Sequence, residues 1–214
     1  MLLATVAELR QRLNVVDNEI YNRVLNDLLL NSTLGIETHL NTTFAQQSYN
    51  NTYFAGENNY LVTGAPGRIN DDSPGVLFLL LRGINVSNLS VGISTVLTGA
   101  SSATNASNYE LEERGIVRLL AGWLPNDYIK VTYTAGFTTD TPSGETLPIY
   151  QDVPILLKQA CLMFAEHVYM VKYGDSQIDE DLPEGEDYTD PPNAVIQLLS
   201  RFSRTGEHAL KAII

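Results

Sequence analysis

The feature that most constrains this chain is that its hydrophobic period changes twice. From Val6 to Leu40 apolar residues recur every three or four positions. From about residue 43 to 139 they come in short alternating or continuous runs, and from Pro154 the helical spacing returns. A period near 3.6 builds helix and a period of 2 builds strand. The order helix, β region, helix makes this an α+β chain.

Local signals sharpen each part. Thr5 and Glu8 form a T-x-x-E capping box, in which hydroxyl and carboxylate satisfy the free N–H groups of a first turn. A short helix follows with Val6, Leu9 and Leu13 inward. Asp17 reads as the N-cap of a second helix over 18–40, with Ile20, Val24, Leu28, Leu29, Ile36 and Leu40 on one stripe. Asn18, Asn22 and Asn26 lie four apart on another face. Gly35, with Asn31-Ser32-Thr33 before it, is the expected break. In the β region, 60–63, 76–81, 88–95, 116–120 and 128–134 read as strands, and 64–75 and 99–108 as exposed loops. Asp152 and Pro154 then start a helix to Tyr173, with Leu157, Ala160, Cys161, Phe164, Val168 and Val171 on one face and Gly174 as C-cap.

Charge is concentrated rather than spread. The 214 residues carry 25 acids and 13 bases, a formal net charge of −12, and eight of the acids fall within 175–190, which holds no Lys or Arg. Those sixteen residues read as a solvated linker. The acidic balance argues against a dedicated DNA binder, since affinity for phosphates comes from Lys and Arg. A single cysteine, Cys161, excludes an intramolecular disulfide. No apolar run is long enough to span a membrane, and the N-terminus has no signal-peptide pattern. Six Asn-x-Ser/Thr triplets, at Asn31, Asn41, Asn50, Asn85, Asn88 and Asn105, are what chance yields in a chain with 17 asparagines.

The residues that carry chemistry elsewhere form no constellation here. Phosphate-loop, dinucleotide and nucleophile-elbow patterns are absent. His39, His167 and His208 lack the i, i+4 spacing of a helical zinc pair, and counting from Asp175 the sixth position, where a calcium loop needs Gly, is Glu180. No catalytic residue, cofactor or metal is therefore expected. The nearest enzyme reading is a carboxylate-dependent hydrolase using Glu110, Glu112 and Glu113, where alternation puts Glu110 and Glu112 on one face. A β-rich surface binding module is a further alternative. Trp123, beside the turn sequence Leu124-Pro125-Asn126-Asp127, reads as core or turn packing.

Three segments carry a resemblance. They are the N-terminal helix pair beginning Thr5-Val6-Ala7-Glu8-Leu9, the strand from Asp127 through Tyr133-Thr134-Ala135-Gly136-Phe137, and the helix opening Val153-Pro154-Ile155-Leu156-Leu157-Lys158-Gln159-Ala160. Together they resemble the head-tail connector (adaptor, or head-completion) proteins of tailed bacteriophages, over about half the chain. The expected fold is a small α-helical bundle with an inserted antiparallel β region and a C-terminal helical arm: the resemblance covers a connector core over 1–174, and the acidic linker 175–190 and the arm 191–214 extend past it. It implies a structural virion protein, assembled in the host cytoplasm, that forms a ring of copies, usually twelve, beneath the portal protein. Such a ring extends the channel for double-stranded DNA without reading its sequence, and presents a surface to a neck or tail-completion protein. Neither enzymatic activity nor membrane association belongs to that role.

The same resemblance suggests a use for the arm. Val195, Leu198, Leu199 and Phe202 share a helix face with Arg201 and Arg204 beside it, and in this reading they dock on the portal. The β region, with the loops 64–75 and 99–108 as its expected mobile parts, is the candidate for contact between rings or with the tail.

Overall fold

The computed structural model describes residues 1–55, 77–98, 101–104, 108–112, 115–120, 124, 127–174 and 190–202, the side chains of 77, 78, 80 and 112 excepted. The expected strand at 60–63, the loop at 64–75, Trp123, nearly all of the acidic linker and the end of the arm lie outside these residues. The chain forms two compact units, Met1–Ala45 with Phe137–Ile214, and Gln46–Gly136. The β unit is thus an insertion into a helical unit made from both flanking parts of the chain. This is an α+β fold, with four helices and antiparallel sheets among the described residues.

The helical unit contains α1 (Val6–Leu13), α2 (Glu19–His39), α3 (Ile155–Tyr173) and α4 (Asn193–Leu199). The capping box at α1 is formed as expected: Thr5 Oγ1 accepts from the Glu8 N–H at 3.0 Å, and Glu8 Oε2 accepts from the Thr5 N–H at 2.9 Å. The N-cap of α2 is Asn18, not Asp17. Asn18 Oδ1 accepts from the Tyr21 N–H at 2.8 Å, while Asp17 pairs with Arg10 and accepts from Asn22 Nδ2. The expected break at Gly35 does not occur. Packing of Leu25, Leu28, Leu29 and Ile36 in the core outweighs the ~1 kcal/mol that a helical glycine costs. The buried stripe also starts later than expected, leaving Ile20 41% exposed.

Asp152 does not cap α3. It sits at φ +55°, and Pro154 precedes the helix with no side-chain cap, its carbonyl accepting from the Leu157 and Lys158 N–H groups. The helix ends at Gly174 as expected, φ +55°, but Val171 is 48% exposed and Tyr169 is buried instead. Lys158 bonds Glu8 at 3.0 Å and Glu166 bonds Arg12 at 2.5 Å, tying α3 to α1. A short hairpin of β8 (Thr139–Asp140) and β9 (Ile149–Tyr150), bridged to Leu2, completes the unit. Phe44, Phe137 and Tyr150, all nearly inaccessible, form an aromatic cluster with ring centroids 6.1–6.3 Å apart.

The β unit has a four-stranded sheet and a three-stranded one. The first runs in the order β1 (Gln47–Phe54), β7 (Tyr128–Ala135), β3 (Ser87–Ser94), β4 (Ser102–Ala103). The second runs β2 (Leu77–Leu80), β6 (Ile116–Leu119), β5 (Tyr109–Glu112). Every pairing is antiparallel. Val91, Ile129, Val131, Tyr133 and Ala135 of the first sheet share a buried core with Leu79, Val117 and Leu119 of the second. This is the alternation of a half-buried strand carried into three dimensions. Within the expected loop 99–108, Ser102 and Ala103 instead pair with β3.

Candidate functional site

Of the six proposed portal-docking residues, five are described. Val195 and Leu199 are fully buried, Leu198 and Phe202 half-buried and Arg201 exposed; Arg204 lies outside the described residues. The helix α4 packs against α3. Burial of a Val or Leu side chain contributes ~1.5–3 kcal/mol. Detaching α4 therefore costs several kcal/mol unless a partner re-covers Val195 and Leu199. In the docked state the face left for a partner is narrower than the sequence suggested: Leu198, Arg201 and Phe202. The apolar residues Leu210, Ile213 and Ile214 lie outside the described residues.

The asparagine row of α2 lines a feature that sequence reasoning did not identify. An open groove of about 800 Å³ lies in the helical unit, between the first turns of α1 and α2 and the segment 143–147. Asn18, Asn22 and Asn26 form one side, with Arg10, Arg23 and Asp27 beside them. Asn22 is held by Asp17 and Arg10, and Asn26 Nδ2 donates to the Asn22 carbonyl at 2.9 Å. The four-residue spacing of the asparagines was the available signal; the contribution of 143–147 was not legible locally.

Glu110 on β5 faces Arg118 on β6 in the strand register and reaches it at 3.6 Å, both side chains being exposed. An exposed pair of this kind contributes little to stability. The Glu112 side chain and Glu113 lie outside the described residues. His39 sits in the last turn of α2 and His167 is exposed on α3; His208 is not described. Among the described residues no group of three or more His, Cys, Asp or Glu is placed to hold a metal ion, and no helix is long and apolar enough to cross a membrane.

Among the described residues, the displaced Cys161, Tyr150 and Tyr133 groups belong to packing. Burial pushes the Cys161 thiol up to about 12, with Thr33 Oγ1 3.6 Å from the sulfur. A thiol so placed is not the thiolate that nucleophilic chemistry needs. Tyr150 is likewise raised to about 12, by burial and then by the Glu37 carboxylate beside it. Glu37 also accepts from the Phe44 N–H at 2.6 Å, fastening the end of α2 to the aromatic cluster. In the β unit, burial raises Tyr133, whose hydroxyl accepts from the Arg82 N–H at 2.8 Å and from Asn51 Nδ2 at 3.1 Å. Its ring stacks on Tyr49 at 4.9 Å.

The residues of the Tyr-x-Ala-Gly-Phe motif have identifiable structural jobs. Tyr133 and Ala135 are core residues of β7, and Gly136, at φ +101°, is the last residue of the β unit. Phe137 is the first residue of the returning helical unit and enters its aromatic cluster. In comparisons with known proteins, no family model matches the chain and no curated protein matches its sequence.

Proposed function

We propose that this chain is a head-tail connector subunit of a tailed bacteriophage. Copies of it form a ring beneath the portal protein, prolong the DNA channel and present a surface to the neck or tail-completion protein. The observation that best supports this reading is the architecture around the Tyr-x-Ala-Gly-Phe segment. A helical unit is built from both flanks of an inserted β unit; the motif ends the insertion, and a Pro-led helix, α3, follows. That is the order the family resemblance implies. In this role the acidic balance lets duplex DNA pass rather than adhere, because few cations are available to replace its counterions.

The genetic test uses particles assembled without the protein. They should package DNA, fail to keep it and join no tails, and supplying the chain in trans should restore both functions. Particles that retain DNA and carry tails in its absence would remove the connector role.

A further inference from the structure

Among the described residues the strand β1 is the outermost of its sheet, and its eight residues pair with β7 in continuous register. The Ala55 N–H donates to the Asp127 carbonyl, the next step of that ladder. Alternation along an antiparallel pair then turns the main-chain groups of Tyr49, Asn51 and Tyr53 toward β7. Those of Ser48, Asn50, Thr52 and Phe54 point outward. Among the described residues no strand takes the outward groups.

The other edges are short or charged. The β4 edge is two residues long, and β2 and β5 are four each, β5 carrying Glu110 and Glu112. Native sheets blunt their edges with charge, proline, bulges or brevity. The sequence of β1, Gln-Ser-Tyr-Asn-Asn-Thr-Tyr-Phe, uses none of these. Its central five residues are near-symmetric about Asn51: Asn50 mirrors Thr52 and Tyr49 mirrors Tyr53.

We propose that β1 pairs antiparallel with β1 of a second copy, about a two-fold axis at Asn51. In that register Asn50 faces Thr52 of the second copy and Ser48 faces its Phe54, each exchanging two main-chain hydrogen bonds. Tyr49 faces its Tyr53 at the close, non-hydrogen-bonded positions where aromatic pairs interact best. Every pairing occurs twice, the core faces of the two sheets stay on the same side, and no charge meets a like charge. The occupant is a second copy because the edge is complementary to itself in charge, residue size and side-chain alternation.

A two-fold contact does not belong to a ring whose subunits all point the same way along its axis. The pairing is therefore independent of the connector reading and describes the unassembled protein, whose edge is released when a ring forms.

Sedimentation of the full chain tests it. The expected mass is twice 23.6 kDa. Asn50→Pro removes an outward N–H without touching the β7 ladder, and should give a monomer while the amides of Ile129 and Val131 keep their slow exchange. If proline opens β7, Thr52→Lys serves the same purpose by charging the edge. Asn51→Cys should cross-link between copies at least tenfold more than Asn50→Cys. A wild-type monomer at every concentration overturns the proposal, whether the Asn50 and Thr52 amides exchange freely or are already protected by the chain itself. A dimer that survives both edge variants, or one without the cross-link at 51, overturns it as well.

Discussion

Replacing Phe137 by Ala tests whether the residue that follows the insertion is what its surroundings make it, a core anchor of the helical unit. Phe137 is 2% exposed, with its ring centroid 6.2 Å from Phe44 and 6.3 Å from Tyr150. Its backbone N–H also donates to the Phe44 carbonyl at 2.7 Å, so the new Ala stays in place and the cavity cannot close by backbone retreat. Truncating a buried Phe costs ~3–5 kcal/mol, of which two aromatic contacts at ~0.5–1.5 kcal/mol each form part. A domain of ordinary stability has ~5–15 kcal/mol in all, so the variant folds but its unfolding constant rises by about two to three and a half powers of ten. Urea unfolding followed by helical circular dichroism measures the loss. Amide exchange locates it: Leu29 and Phe164 should lose protection while Ile129 and Val131, in the separate β core, keep theirs. Phe137→Leu should recover most of the difference. A loss below ~1 kcal/mol, or equal loss in both units, would refute the reasoning.

Three further outcomes follow from particular contacts. Gly83→Ala should destabilise the β unit by ~2 kcal/mol or more. It forces a side chain into φ +72° and brings the new Cβ to 2.8 Å from that of Ala135, a clash beyond the ordinary left-handed cost of ~1–2 kcal/mol; a thermal shift of the β signal checks it. Burial tends to raise Glu8, but the Thr5 N–H and Lys158 outweigh it and hold the carboxyl below its ordinary 4.5. A depressed folded-state pKa means the Glu8 contribution is present above about 4.5 and is lost as pH falls through the lower folded value. Melting temperature should therefore fall less steeply in acid for Glu8→Gln than for wild type, by a small amount because the side chain is 37% exposed. Leu199→Ala removes a fully buried side chain from a two-turn helix, so it should release α4 alone, read as faster amide exchange from Val195 to Ser200 with α3 unchanged.

The sequence and the structure agree most where the local signal and the tertiary demand coincide. The Thr5/Glu8 box, the alternation of Ile129, Val131 and Tyr133, and the Gly174 stop were legible because the same residues serve both levels. The misses have physical reasons. The strand β1 carries Asn and Thr at outward positions and Asn51 inward, so its hydrophobic pattern is faint; its pairing with β7 is a long-range fact. Gly35 is a local signal overruled by packing, whereas Asp152, exposed and at φ +55°, lies two residues before the cap position that Pro154 occupies. The aromatic cluster joins residues 44, 137 and 150 across an inserted unit, and the α2 groove depends on 143–147; neither juxtaposition has a local signature. For α4, Val195 and Leu199 of the spaced face are buried and Leu198 and Phe202 half-buried, and spacing alone does not say whose surface buries them.

The proposed connector role requires copies of this chain to form a ring on a portal. Negative-stain microscopy of the full-length protein mixed with its proposed partner, a portal protein, decides the matter. The expected image is a second ring, coaxial with the portal and continuous with its channel, which is absent from the portal alone. Portal particles that remain single rings at saturating concentrations of well-folded protein would contradict it.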